Sequence, residues 1–159
     1  MKRIICGVGE SGKNTMLFQG APRAVGAQTP SERVYLAWAA SADGSSTNDY
    51  AAAIQDFNFK LSPGEVRFLR VEIAPGAASP AHRTPHINDY LVAVSGELTM
   101  YTEDGTSATF AAGDMMVQLA GWHSWRNEGD EPFVMAGVIV GIETDEDVPF
   151  GVQLASGDN

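Results

Sequence analysis

The sequence predicts an all-β fold, an antiparallel sandwich or barrel, on three observations. Its apolar residues recur with period two, its β-prone runs are short, and turn signals fall about every eight to twelve residues from residue 65 onward. Residues 65–73 (Glu-Val-Arg-Phe-Leu-Arg-Val-Glu-Ile) alternate polar and apolar along much of their length, as a half-buried strand does. Residues 90–94 form an apolar run between Asp89 and Ser95-Gly96. Residues 97–101 and 107–110 flank Asp104-Gly105, a strong hairpin signal between β-prone runs. Residues 115–118, 124–127 and 133–142 bring the strands beyond residue 65 to at least six. Upstream, residues 3–6, 14–18 and 33–38 read as strands and 41–48 as a polar loop. Residues 49–56, with three alanines and no proline, read as about two helical turns. The expectation is one domain over residues 1–159. Its barrel core covers 60–142, and 1–59 supply strands and a loop that wrap the barrel or extend its sheet. The acidic and polar stretches 143–147 and 155–159 read as partly mobile.

Composition removes several function classes. The 159 residues are 44% apolar, which excludes global disorder. Twenty acidic against ten basic residues give a net charge of −10, which argues against nucleic acid or an anionic membrane as partner. Cys6 is the only cysteine, so no intrachain disulfide forms and a reducing compartment is the default. The opening Met1-Lys-Arg-Ile-Ile-Cys-Gly is too short in apolar residues for a signal peptide. No eighteen-residue apolar span occurs, and the expected location is cytoplasmic.

Residues 7–14 (Gly-Val-Gly-Glu-Ser-Gly-Lys-Asn) come close to a phosphate-binding loop, and Gly7, Gly9 and Gly12 fit a dinucleotide fingerprint. Asn14 stands where the phosphate loop needs Ser or Thr for magnesium. The β-prone stretch that follows, broken by Gly20 and Pro22, leaves no room for the helix both motifs require. A glycine-rich turn between two strands is the expectation, with no nucleotide cofactor.

The chemistry concentrates elsewhere. His82 and His86 lie within five residues of one another with Asp89 close by, and His123 falls on a separate predicted strand. Gly76 precedes His82 by five intervening residues, and Gly96 follows Asp89 by six. Gly113-Asp114, His123 and Asn127 come later. This pattern resembles the two motifs of the cupin superfamily, closest to the small single-domain cupins that carry His-Arg-Thr, then Asp-Tyr, then Gly-Glu, and later His-x-Trp-x-Asn. The resemblance covers roughly residues 60–142. It implies a cupin-type antiparallel β-barrel (a double-stranded β-helix or jelly roll) with an N-terminal strand extension. It also implies frequent dimers and activities that range from dioxygenase, decarboxylase, lyase and isomerase to plain binding, so the fold alone leaves function open.

Two departures bear on the metal that such proteins hold. Thr84 replaces the second histidine of the first motif and Asp89 replaces its glutamate. What remains, His82, Asp89 and His123, resembles a two-histidine, one-carboxylate set for a divalent ion, with iron, zinc, nickel or manganese as candidates. In an extended segment residues 82, 84 and 86 share a face, so His86 is a candidate third imidazole if the bend at Pro85 directs it inward. The alternative is a metal-free pocket in which the histidines act as acid–base groups or simply line the wall. Counting from His123 puts Trp125 and Asn127 on the inner side, and counting from Asp89 adds Leu91 and Ala93. Trp122 falls in the turn at the barrel mouth. Met116 and Trp38 are further candidates for the lining, with ordinary core packing the stronger reading for both. Such a pocket suits a small, largely apolar organic molecule. Arg83, between two inward positions, is expected to point outward toward an acidic residue. The N-terminal strands are expected to extend a sheet, across a homodimer interface.

Overall fold

The computed structural model describes residues 1–25, 29–43, 60–144 and 151–153, the last by backbone alone. All regular structure in them is β. In chain order the strands are β1 (Arg3–Val8), β2 (Asn14–Gly20), β3 (Arg23–Val25), β4 (Glu32–Ala40), β5 (Val66–Ile73), β6 (Ala81–Arg83) and β7 (Ile87–Ser95). They continue with β8 (Glu97–Thr102), β9 (Ser107–Ala111), β10 (Met115–Gln118), β11 (His123–Arg126), β12 (Phe133–Gly141) and β13 (Gly151–Gln153). The helical turns expected over residues 49–56, and most of the polar stretches 41–48, 143–147 and 155–159, lie outside the described residues. Among the described residues no helix is long and apolar enough to cross a membrane.

The strands form two facing sheets and one separate hairpin. The larger sheet has the order β10-β7-β12-β5-β4-β3 and the smaller β13-β6-β11-β8-β9, with β1-β2 apart. All pairings are antiparallel. The N-terminal part therefore does extend a sheet, through β3 and β4, while among the described residues β1 pairs with β2 alone. The glycine-rich stretch after β1 is the turn of that hairpin. Gly12 donates to the Gly9 carbonyl at 2.9 Å and adopts φ +72°, and no helix follows.

The inner faces supply the core. Ile73 and Phe133 are fully buried, and Phe110 meets Phe133 with ring centroids 5.5 Å apart. On the larger sheet the inward residues in register are Leu36, Leu69, Gly137 and Leu91 in one row. One glycine shows why the motif spacing is fixed. Gly96 links β7 to β8 at φ +73°, and a Cβ there would stand 2.8 Å from the Pro132 carbonyl oxygen, so any side chain meets both backbone strain and a clash.

Candidate functional site

The first motif begins by tying itself to the second. Gly76 donates its N–H to the Asn127 carbonyl and Asn127 donates to the Ala77 carbonyl, each at 2.9 Å. Ser79 then donates to the Trp125 carbonyl at 2.9 Å. The chain from Gly76 thus runs alongside β11 before entering β6, which sets His82 directly opposite His123 across the two strands. Their ring centroids are 4.4 Å apart with planes inclined at 59°. Each ring is held by a backbone carbonyl two residues upstream. His82 Nδ1 lies 2.9 Å from the Pro80 oxygen and His123 Nδ1 2.9 Å from the Gly121 oxygen. A carbonyl can only accept, so Nδ1 carries the proton in both rings and Nε2 carries the lone pair in the neutral form.

The two histidines form part of the wall of a cavity of about 220 Å³ between the sheets. Leu91, Met116 and Trp125 line it as well, and Thr84 stands there in the place of the missing motif histidine. Asp89 enters from β7, opposite Gln118 on β10, and Glu32 enters from β4. Much of the remaining wall is aliphatic, including Val71, Ile73, Ile87 and Ile139.

This apolar surrounding sets the electrostatics. Burial pushes the Asp89 carboxyl up to about 7, and its Oδ1 is buried without a hydrogen-bond partner. Burial also raises Glu32, against the opposing influence of the nearby His82 charge. His123 is lowered, chiefly by burial and further by His82, while its bond to Gly121 works the other way. Near neutral pH the cavity therefore holds a carboxyl group at its titration point and a neutral imidazole.

Four residues read from the sequence as pocket or ligand candidates lie elsewhere. His86 does not line the cavity. The chain turns after Thr84, with Ile87 N–H bonded to the Thr84 carbonyl at 3.2 Å, and this turn ends the alternation that linked residues 82, 84 and 86. Trp38 lies on the outer face, because a β-bulge between Leu36 and Trp38 inserts one residue and sets Trp38 opposite the outward Phe68. Trp122 packs under Arg83, whose guanidinium carbon is 5.6 Å from its ring centroid, so Arg83 meets an aromatic face where an acid was expected. Asn127 is fully buried but structural. Its Nδ2 donates to the carbonyls of Ile73 and Glu131, at 3.1 and 2.9 Å, and its Oδ1 accepts from Gly129 N–H at 3.0 Å. In the other direction, Glu32 and Gln118 line the cavity and were not singled out from the sequence. Glu32 precedes the expected strand by one residue, and period two puts it on the face of Val34 and Leu36, so the signal was present.

The fit to a metal can be tested on these groups. The histidine pair is arranged as ligands would be, with Nδ1 pinned and Nε2 available. Among the described residues a third ligand is lacking, and no three His, Cys, Asp or Glu side chains gather closely enough to share an ion. Aspartate, one methylene shorter than glutamate, leaves its oxygen unpartnered in the cavity rather than joined to the imidazoles. The donor set does not fit the expected centre of two histidines and a carboxylate.

Two facing antiparallel sheets with this pair of motifs define a cupin. Residues 69–141, a little under half of the chain, match the cupin domain family, and over these residues the chain is a cupin domain. Two phomopsin biosynthesis cluster proteins, C' and D, from Diaporthe leptostromiformis are each 38% identical over 65 residues. The match covers 41% of this chain and 34% of theirs. The cupin-domain-containing oxidoreductase virC of Hypocrea virens is 35% identical over 57 residues, 36% of this chain and 29% of that protein. The chain thus matches about a third of the length of these curated relatives. Among solved structures, the cupin domain of Schizosaccharomyces pombe Cnp3 superimposes with TM-score 0.54 at 10% identity, over 88% of this chain and 87% of that one. The 7S globulin of Momordica charantia gives 0.51 at 15% identity, over 77% and 33%. These two likenesses establish the fold alone.

Proposed function

We propose that this cupin is a metal-independent enzyme that moves protons on a small, largely apolar organic molecule held between its sheets, in an isomerisation or elimination. One observation carries the reading. A carboxyl group that titrates near neutrality and a neutral imidazole share one apolar cavity, Asp89 on the larger sheet and His123 on the smaller. A proton donor and a proton acceptor whose environments bring their working ranges together near pH 7 are what general acid–base catalysis requires. In this scheme His123 takes a proton at Nε2, with Gly121 fixing its tautomer, and protonated Asp89 donates to the substrate from the opposite sheet. His82, tilted against His123 and near Glu32, disfavours the His123 imidazolium by charge repulsion. At about 220 Å³ the cavity admits a single-ring molecule or a short branched chain. The metal-dependent alternatives, oxygenase or decarboxylase, call for a ligand set that the donor geometry argues against.

The test is exchange of α-protons in D₂O, followed by proton NMR, across a panel of small cyclic enones and β-keto compounds. At least one compound should exchange faster than in buffer. Asp89→Asn and His123→Gln should each slow it by roughly 10²–10⁴-fold, the usual contribution of a positioned acid or base. Binding without turnover is the second reading, favoured by the aliphatic wall around the few polar groups. It predicts chemical-shift changes at Leu91 and Trp125 with no exchange. Exchange that persists in both variants would contradict the assignment.

A further inference from the structure

A second cavity lies on the opposite side of the larger sheet from the first. Among the described residues the β1–β2 hairpin joins neither sheet, and it stands over the outer face of β4 and β5 across a groove of about 760 Å³. Leu69 and Ala136 stand in the wall of both this groove and the inner cavity, so one sheet separates two distinct spaces. At about 220 Å³ the inner cavity is small, whereas the groove falls within the roughly 300–1,000 Å³ of sites that enclose whole organic ligands.

The floor of the groove is aromatic. Tyr35, Trp38 and Phe68 line it from β4 and β5, and Phe68 stays 45% exposed beneath the hairpin. The bulge after Leu36 is what brings Trp38 to this side, so the floor takes its largest ring from a break in strand period. The rim is basic. Lys2, Arg3 and Arg70 line the groove, and among the described residues no Asp or Glu does, in a chain with twenty acidic side chains and ten basic ones. Arg70 is answered from outside by its ion pair with Glu72. Arg3 is held in place, its guanidinium carbon 4.5 Å from the Phe18 ring centroid and its Nη1 donating to the Ala37 carbonyl at 3.3 Å.

We infer that this groove is a second ligand site, and that it takes an organic carboxylate with a flat aromatic body. The rings lie on Tyr35, Trp38 and Phe68, and the carboxylate is directed to Arg3 and Lys2. Aromatic side chains suit a planar apolar body, and a guanidinium fork matches a carboxylate through two parallel N–H···O bonds. Charge selects the anion over a neutral ring system. With a net charge of −10 most of the surface repels an anion, and a groove whose charged lining is basic is the place that attracts one. The inference is independent of the acid–base reading of the inner cavity.

Cys6 supplies the test. It is the chain's one thiol, it is exposed and it lines the groove, so its alkylation reports occupancy without any assay of activity. The full chain is treated with iodoacetamide, which is neutral, with and without 2-naphthoate, and with neutral 2-naphthamide as the control. Millimolar naphthoate should slow alkylation severalfold, and naphthamide should need roughly 10–100-fold more for the same protection, the difference that a charged contact makes. Arg3→Gln should weaken protection to a similar degree. Because Arg3 also ties the hairpin to Ala37, Phe68→Glu is the second variant. It sets a like charge on an exposed floor position and should abolish protection with far-UV circular dichroism unchanged. Leu91→Trp, which fills the inner cavity, should leave protection intact. Equal protection by acid and amide would overturn the proposal, as would protection unchanged in Phe68→Glu or lost in Leu91→Trp. So would no protection at millimolar naphthoate. Protection that rises with protein concentration in the absence of any probe would make a second copy the occupant and overturn it too.

Discussion

Asp89 is unusual for what it lacks: its Oδ1 sits in an apolar wall with no donor to compensate it. An ionised carboxylate there forfeits hydration, so the proton stays on to about pH 7. The consequence for stability has a definite sign. The unfolded chain ionises Asp89 near its ordinary value of 3.8, while the folded chain holds the proton up to about 7. Its contribution is greatest below 3.8 and is lost as pH rises toward 7, at up to about 1.4 kcal/mol per pH unit. His123, lowered from 6.5, acts oppositely, and stability is lost as pH falls through that range because the buried ring resists protonation. Urea unfolding of wild type and Asp89→Asn between about pH 5 and 7 separates the two. The gap in favour of the variant should widen with pH, and a constant gap would mean that Asp89 ionises freely. The sequence made both residues visible through motif spacing. It could not reveal that Asp89 stands apart from the imidazoles, because one methylene decides the reach and spacing carries no information on reach.

At the scale of elements, period two read most of the strands correctly wherever the chain runs straight. β5, β8, β9, β10 and β12 fall within a residue or so of the stretches expected from alternation, and Leu91 and Trp125 face the cavity as counted. The misplacements occur where an element breaks its own period. The bulge after Leu36 turned Trp38 outward, the turn after Thr84 took His86 away, and the end of β11 left Asn127 to cap the adjoining turn. β3, β6 and β13, three residues each, are too short to show a period at all. Cavity and core also respond differently to substitution. Phe133→Ala on β12 removes a fully buried ring against Phe110 and should cost about 3–5 kcal/mol in urea unfolding. Leu91→Trp on β7 fills the cavity and should abolish the ligand-induced shifts, at a stability cost of roughly 1–3 kcal/mol. Ligand shifts that survive Leu91→Trp would locate binding outside the cavity.

The whole molecule is a two-walled container. The smaller sheet presents imidazoles with fixed tautomers, the larger presents carboxyls made weakly acidic by burial, and the motif backbone from Gly76 to Asn127 locks one wall to the loop that leads out of the other. Fold and family followed from two spaced motifs, whereas the chemistry turns on what two substitutions in those motifs, Thr84 and Asp89, did to the donor set. The central claim is that Asp89 is a cavity acid and not a metal ligand. The most direct measurement is a pH titration of the Asp89 side-chain carboxyl carbon by ¹³C NMR, on protein purified without an affinity tag and supplied with zinc or ferrous iron. A midpoint at about 7, unmoved by either metal, is the predicted result. A carboxylate that stays ionised well below pH 4 once metal is added would contradict it, and would make Asp89 a ligand after all.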